Sequence, residues 1–186
     1  MQRSIFRLSS CVTIASTALL FAAGPAAAAE VFGGVAAHSL DLKVALCCYE
    51  HGTDVQFGAR TAPFATLWTG ELHAYAFGSV NTSGGTNFAA AGLGWRFHWD
   101  GGRFYLQPGF GVAVHDGPSE KFQKTPDRIY FGSRALFEPE VTLGWRLSPK
   151  WAAELAYVHM SHAQLAGKQN PGIDDLGVRL AYRFGQ

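Results

Sequence analysis

The chain has 186 residues, of which 48% are hydrophobic and 13% aromatic, with 22 glycines and a formal net charge of +1 at pH 7. That length is one domain, and charges of both signs scattered along it exclude the basic stripe that a nucleic-acid surface needs. Beyond the N-terminal leader no apolar run is long enough to cross a bilayer as a helix.

The leader comes first in the chain. Arg3 and Arg7 form a basic start, Cys11 to Ala23 an apolar core, and Ala26 to Ala29 offer small-residue cleavage sites. Residues 1–29 therefore read as a secretory signal peptide, leaving 30–186 as the mature domain. Leu8-Ser9-Ser10-Cys11 has the form of a lipidation box, but no apolar run precedes it. Removing the leader removes Cys11 and leaves Cys47 and Cys48 side by side. Two cysteines make no disulfide framework. A vicinal disulfide in an oxidising compartment and two free thiols on a loop both stay open.

Period-two alternation and abundant glycine then predict eight strands, at about 30–38, 53–61, 71–81, 86–99, 103–116, 131–148, 150–162 and 173–184. Asp100-Gly101-Gly102 and Ser148-Pro149-Lys150 are tight turns. The connections at 39–52, 117–130 and 163–172 are longer, whereas Gly84-Gly85 marks a short one. Short turns at one end and longer loops at the other are the pattern of an outer-membrane barrel. The connection at 62–70 is too long for that pattern.

Parity assigns the faces. In the fourth strand Leu93, Trp95, Phe97 and Trp99 oppose Gly92, Gly94, Arg96 and His98. In the sixth, Phe137, Val141, Leu143 and Trp145 oppose Glu138, Glu140, Thr142 and Arg146. In the eighth, Leu176, Val178, Leu180 and Tyr182 oppose Asp175, Arg179 and Arg183. Charges of both signs share one side, as a small barrel filled by paired side chains requires. Leu93-Gly94-Trp95-Arg96-Phe97 is repeated as Leu143-Gly144-Trp145-Arg146-Leu147 and as Leu180-Ala181-Tyr182-Arg183-Phe184. The three central rings form an aromatic girdle at headgroup level. The fold class expected is all-β, an eight-stranded antiparallel transmembrane β-barrel. A soluble barrel would reverse the two faces.

Chemistry gathers near the C-terminus. His159 and Ser161 are two apart, so they share a strand face, and it is the face of the large apolar residues. Asp174 opens the next strand with that same parity, while Asp175 points inward. A hydroxyl, an imidazole to take its proton and a carboxylate to orient the imidazole make a nucleophilic triad. On the outward face its substrate is part of the membrane. His38, His51, His73, His98 and the His115-Asp116 pair have no metal-ligand spacing and read as interior or loop residues. Residues 117–130, with Lys121, Lys124 and Arg128, read as a solvated loop that could grip phosphates.

His159-Met160-Ser161-His162-Ala163, followed by Asn170-Pro171-Gly172-Ile173-Asp174, resembles the PagL-type lipid A 3-O-deacylases. The likeness extends in character over the mature chain, from Glu30 through Asn81–Gly94 and Val114–Pro118. It implies an eight-stranded outer-membrane barrel that hydrolyses the 3-O-acyl ester of lipid A, without cofactor or metal. Its partners would be lipopolysaccharide and outer-membrane lipids, with a homodimer left open. It also implies Ser161 as nucleophile, His159 as base and Asp174 as orienting acid, with His162 and the Ala163 amide as oxyanion donors. Two positions depart from the family pattern: Asp174 stands for Glu, and His162 for Asn. The alternatives are a catalytically idle barrel with a structural or surface role, and a soluble periplasmic lipid-binding barrel.

Overall fold

A computed structural model describes residues 30–40, 50–122, 124–165 and 170–184. The leader expected at 1–29 and the Cys47-Cys48 pair lie outside them. Nine strands occur among the described residues: β1 (Glu30–Ala37), β2 (Thr53–Arg60), β3 (Ala65–Leu67), β4 (Gly70–Asn81), β5 (Phe88–Trp99), β6 (Phe104–His115), β7 (Ala135–Arg146), β8 (Trp151–Met160) and β9 (Ile173–Arg183). All neighbours are antiparallel. β1 pairs with both β2 and β9, and β2 pairs with β4, so the eight longer strands close on themselves. Closure leaves no long free edge.

The odd connection at 62–70 has a physical origin. β4 runs further than β2 at this end, because the β2–β4 ladder stops at Arg60↔Tyr75. The chain folds back and covers the excess: β3 pairs Ala65↔Leu72 and Leu67↔Gly70. Trp68 takes the left-handed conformation in the turn, at φ 52°.

Sequence parity holds along the long strands. Leu93, Trp99, Val141, Leu143, Trp145, Leu176, Val178 and Leu180 are exposed on the outside. Arg60, Arg96, Glu138, Glu140, Glu154 and Arg179 are buried inside. Arg60 donates to Glu30 at 2.7 Å and to Glu154 at 2.6 Å, and Arg96 Nη2 donates to Glu30 at 2.8 Å. Arg179 donates to Gln56 at 3.0 Å and to Glu140 at 3.2 Å, while its guanidinium lies 4.9 Å from the centres of the Phe32 and Phe77 rings. Paired charges and rings together fill the interior.

Aromatic rings gather at the short-turn end. Trp95 contacts Trp68 at 5.2 Å and Phe97 at 4.5 Å, and Tyr182 contacts Trp151 at 4.7 Å and Phe184 at 5.0 Å between ring centres.

One expectation needs correcting at the long-loop end. The sixth long strand begins at Ala135, not at 131, and the end of the preceding loop is not solvated. Ile129 and Phe131 are fully buried. Phe131 packs 4.2 Å from the His115 ring, so this segment closes the mouth of the barrel.

Candidate active site

His159 and Asp174 face each other across the β8–β9 ladder. Ser161 lies just past β8, tied to β7 by reciprocal backbone bonds with Phe137 of 2.8 and 3.1 Å. These ladders bring three of the sequence candidates together. His159 Nδ1 lies 2.7 Å from Asp174 Oδ1, and His159 Nε2 lies 3.0 Å from Ser161 Oγ. A carboxylate only accepts, so Nδ1 carries the hydrogen; Nε2 of the neutral ring is then free to accept from the serine hydroxyl. Asp174 is fully covered, whereas the His159 side chain keeps 18% exposure. The imidazole is therefore partly open to the outside and the carboxylate behind it is not.

Tyr157 escapes a sequence reading because an outward ring on a strand of this kind looks like one more lipid-facing residue. Its hydroxyl donates to Asp174 Oδ1 at 2.5 Å. The same oxygen thus receives both the phenol and the imidazole, while Asp174 Oδ2 is buried without a partner. Gly172 has no room for a side chain. A Cβ there would lie 2.4 Å from the Met160 carbonyl oxygen and 3.3 Å from both His159 Cε1 and Ser161 Cβ.

His162 and Ala163 follow the serine directly. His162 is buried, with its ring toward the Gly132 turn. Ala163 and Gln164 adopt left-handed backbone, at φ 52° and 64°, and Leu165 N donates to the His162 carbonyl at 2.9 Å. The chain therefore bends sharply beyond Ser161. Beside it lies a hollow of about 260 Å³ bordered by Val112, Ala135, Leu136, Phe137, His162 and Leu165. Its wall is mainly aliphatic and it opens on the outer side of the barrel.

The other candidates fall elsewhere. His73 and His98 sit at the short-turn end, 3.7 and 3.1 Å from Glu71 Oε2. His115 accepts the interior role expected of it, 2.8 Å from the Ser133 carbonyl. Arg128 does not reach freely into solvent: it bonds the Gly84 carbonyl and lies 3.3 Å from Glu50. Lys124 pairs on the surface with Glu120 at 2.9 Å.

His38 belongs to a second cluster, inside the long-loop end. It lies 3.0 Å from Asp54, 3.3 Å from Glu50 and 3.6 Å from Asp175. Burial opposes a charge on this imidazole, but Asp54, Glu50 and Asp175 outweigh it and push His38 up to about 10. Among the described residues, His38, Asp54 and Asp175 form the one group with three metal-ligating atoms all within 4.8 Å of one another.

The family described as Lipid A 3-O-deacylase (PagL) matches residues 49–183 of this chain. Lipid A deacylase PagL from Bordetella bronchiseptica (strain ATCC BAA-588 / NCTC 13252 / RB50) is 31% identical over 86 residues, which are 46% of this chain and 44% of that protein. The chain thus spans less than half of that relative's length in the match. Among solved structures, the crystal structure of the outer membrane enzyme PagL aligns with a TM-score of 0.58 at 19% identity, over 82% of this chain and 97% of the other. A chain from the de novo design of transmembrane beta-barrels aligns with a TM-score of 0.53 at 14% identity, covering 85% and 96%. At these identities the structures speak for the barrel alone.

Proposed function

The chain belongs to the PagL family of lipid A 3-O-deacylases, and from that premise we propose that it is an outer-membrane serine esterase that removes the 3-O-linked acyl chain of lipid A. The observation that carries this reading is the line from Asp174 through His159 to Ser161, with contacts of 2.7 and 3.0 Å. In the barrel's orientation the long-loop end faces outward from the cell, so the site meets the outer leaflet. Residues 1–29 act as the export signal and are removed.

Each side chain has a defined task. Ser161 Oγ attacks the acyl carbonyl as His159 Nε2 takes its proton. The tetrahedral intermediate collapses, the sugar 3-oxygen leaves, and His159 returns the proton to it. Water then attacks the acyl-serine as His159 takes its proton; the second tetrahedral intermediate collapses, Ser161 Oγ leaves and recovers that proton from His159, and a free 3-hydroxy fatty acid departs. Asp174 holds the histidine in the required tautomer and stabilises the imidazolium. His162 and the Ala163 amide, the next two residues after the serine, supply the oxyanion donors. Loss of one such donor costs about 2.7–4 kcal/mol, so the His162 replacement sets the speed of the reaction rather than its type. The mainly aliphatic hollow bordered by His162, the residue after the serine, suits the departing acyl chain.

Mass spectrometry of lipid A tests the reading, comparing cells that express this chain with cells that express Ser161→Ala at equal outer-membrane level. Loss of one 3-hydroxyacyl mass in the first alone is the expected result. Unchanged lipid A in both would favour a catalytically idle barrel.

A further inference from the structure

Lys121, in the loop at 117–130, comes close to the residues that follow the serine. The meeting point is Gly132, which takes the left-handed conformation at φ 74°. A Cβ there would lie 3.7 Å from His162 Nε2 and 3.9 Å from Lys121 Cα and Cγ. One glycine is thus shared by the oxyanion histidine and the stem of the lysine. Arg134 stands two residues further on, between Ser133 and Ala135, both of which border the hollow of about 260 Å³.

The fold does not use the charge of these two exposed side chains. Of the neighbouring cations, Lys124 pairs with Glu120 at 2.9 Å and Arg128 lies 3.3 Å from Glu50. Lys121 pairs with no carboxylate among the described residues. Arg134 Nη1 donates to the Gly117 carbonyl at 3.0 Å and to the His115 carbonyl at 3.5 Å. Carbonyl oxygens direct a guanidinium without neutralising it, and its remaining N–H donors stay available. The acids nearby are engaged elsewhere: Glu120 by Lys124, and Asp116 by Asn87 N at 2.8 Å and Asn87 Nδ2 at 2.7 Å. Beside the uncompensated charge stands bare hydrocarbon. Phe122 is 81% exposed, and Leu165, on the rim of the hollow, is 78% exposed. A surface that joins the two suits an amphiphile with an anionic head.

We infer that Lys121 and Arg134 bind a phosphate of the lipid whose acyl chain Ser161 removes.

This rests on the lipid A reading of the same site. Lipid A carries a phosphate on the sugar ring that bears the 3-O-acyl chain, so ester and phosphate arrive together. Lysine offers a point charge on a flexible four-carbon stem, and arginine a planar fork of directed donors. Neither touches a reacting atom. Their contacts are the same in ground and transition states, so they act on KM more than on kcat. The pair selects a phosphorylated lipid over one that has lost its phosphates.

The test uses the full barrel carrying Ser161→Ala, refolded in detergent, so that binding is read without turnover. Native mass spectrometry measures which lipid stays bound from an equimolar mixture of phosphorylated and chemically dephosphorylated lipid A. A preference for the phosphorylated lipid is expected. Lys121→Met and Arg134→Gln should each lower it about fivefold, whereas Lys121→Arg should keep it. Folding of each variant is read from the gel-mobility difference between boiled and unboiled barrel. Equal binding of the two lipids by the parent barrel, or an unchanged preference in either folded variant, would overturn the inference. So would an equal loss of both lipids, because the side chains would then only shape the loop. The deacylase reading fails in a different way. If the barrel with Ser161 intact hydrolyses neither lipid while the preference persists, the reaction is lost and the phosphate site stands.

Discussion

Asp174 Oδ1 receives two hydrogen bonds, one from His159 and one from Tyr157, while Oδ2 receives none. The carboxylate is thus steered from one oxygen only. A shorter acid than the family's glutamate has less reach, and the phenol compensates by fixing where that single oxygen points. Tyr157 is a positioning residue in this arrangement. A hydrogen bond to a charged group contributes about 1.5–3 kcal/mol, and about 1.4 kcal/mol is tenfold in rate. Tyr157→Phe is therefore expected to lower kcat about tenfold or more with little change in KM, because the ring itself is kept. Kinetics on detergent-dispersed lipid A would measure this split. Equal loss in KM would instead mean that the hydroxyl binds substrate, and no change would mean that Asp174 needs no second donor.

Strands explain the repeated Leu-Gly-Trp-Arg motif. Gly144 of β7 sits directly opposite Tyr105 of β6, and a Cβ at Gly144 would lie 2.0 Å from Tyr105 Cζ. The glycine is absent of side chain so that the ring can lie across it, and from there Tyr105 donates to Glu154 at 2.5 Å. The Arg96 guanidinium lies over the same ring, 4.3 Å from its centre. Gly144→Ala should cost about 1–3 kcal/mol, the usual range for overpacking, seen as a lower urea midpoint for loss of the compact barrel on gels; an unchanged midpoint would show that the ring moves freely. The same elements show what a sequence discloses. Alternation over ten or more residues makes the long strands and their faces readable, and adjacency on β8 and β9 makes His159, Ser161 and Asp174 readable as a group. β3 is three residues, too short to alternate, and exists only because β4 outruns β2. His38, Asp54 and Asp175 are far apart in sequence and meet only when β1 closes against β2 and β9. Ile129 and Phe131 look like a loop end and a strand start, and become buried because the barrel mouth needs filling.

At the scale of the whole molecule the barrel is turned inside out relative to a water-soluble one. Ion pairs such as Arg60 with Glu30 and Glu154 are in the core, and aliphatic side chains cover the wall. Burying those ions is tolerable because each has a partner, and removing one partner alone would leave a bare charge. Exposed aliphatic residues on every long strand are explained only if the surrounding solvent is hydrocarbon, since water would favour polar residues there. Val178 offers a direct test. It lies in the middle of β9, is 58% exposed, and is paired on its two sides with Val35 and Leu155. In a bilayer, Val178→Arg should destabilise the folded barrel by about 2–4 kcal/mol, the cost of a basic side chain on the lipid face near the midplane. On a protein facing water, the same exposed change would stay within about 0.5 kcal/mol. Equilibrium unfolding in lipid vesicles separates the two values. The larger cost is expected, and it should fall when arginine is moved along the same face to Tyr182, where Trp151 and Phe184 mark the level of the headgroups.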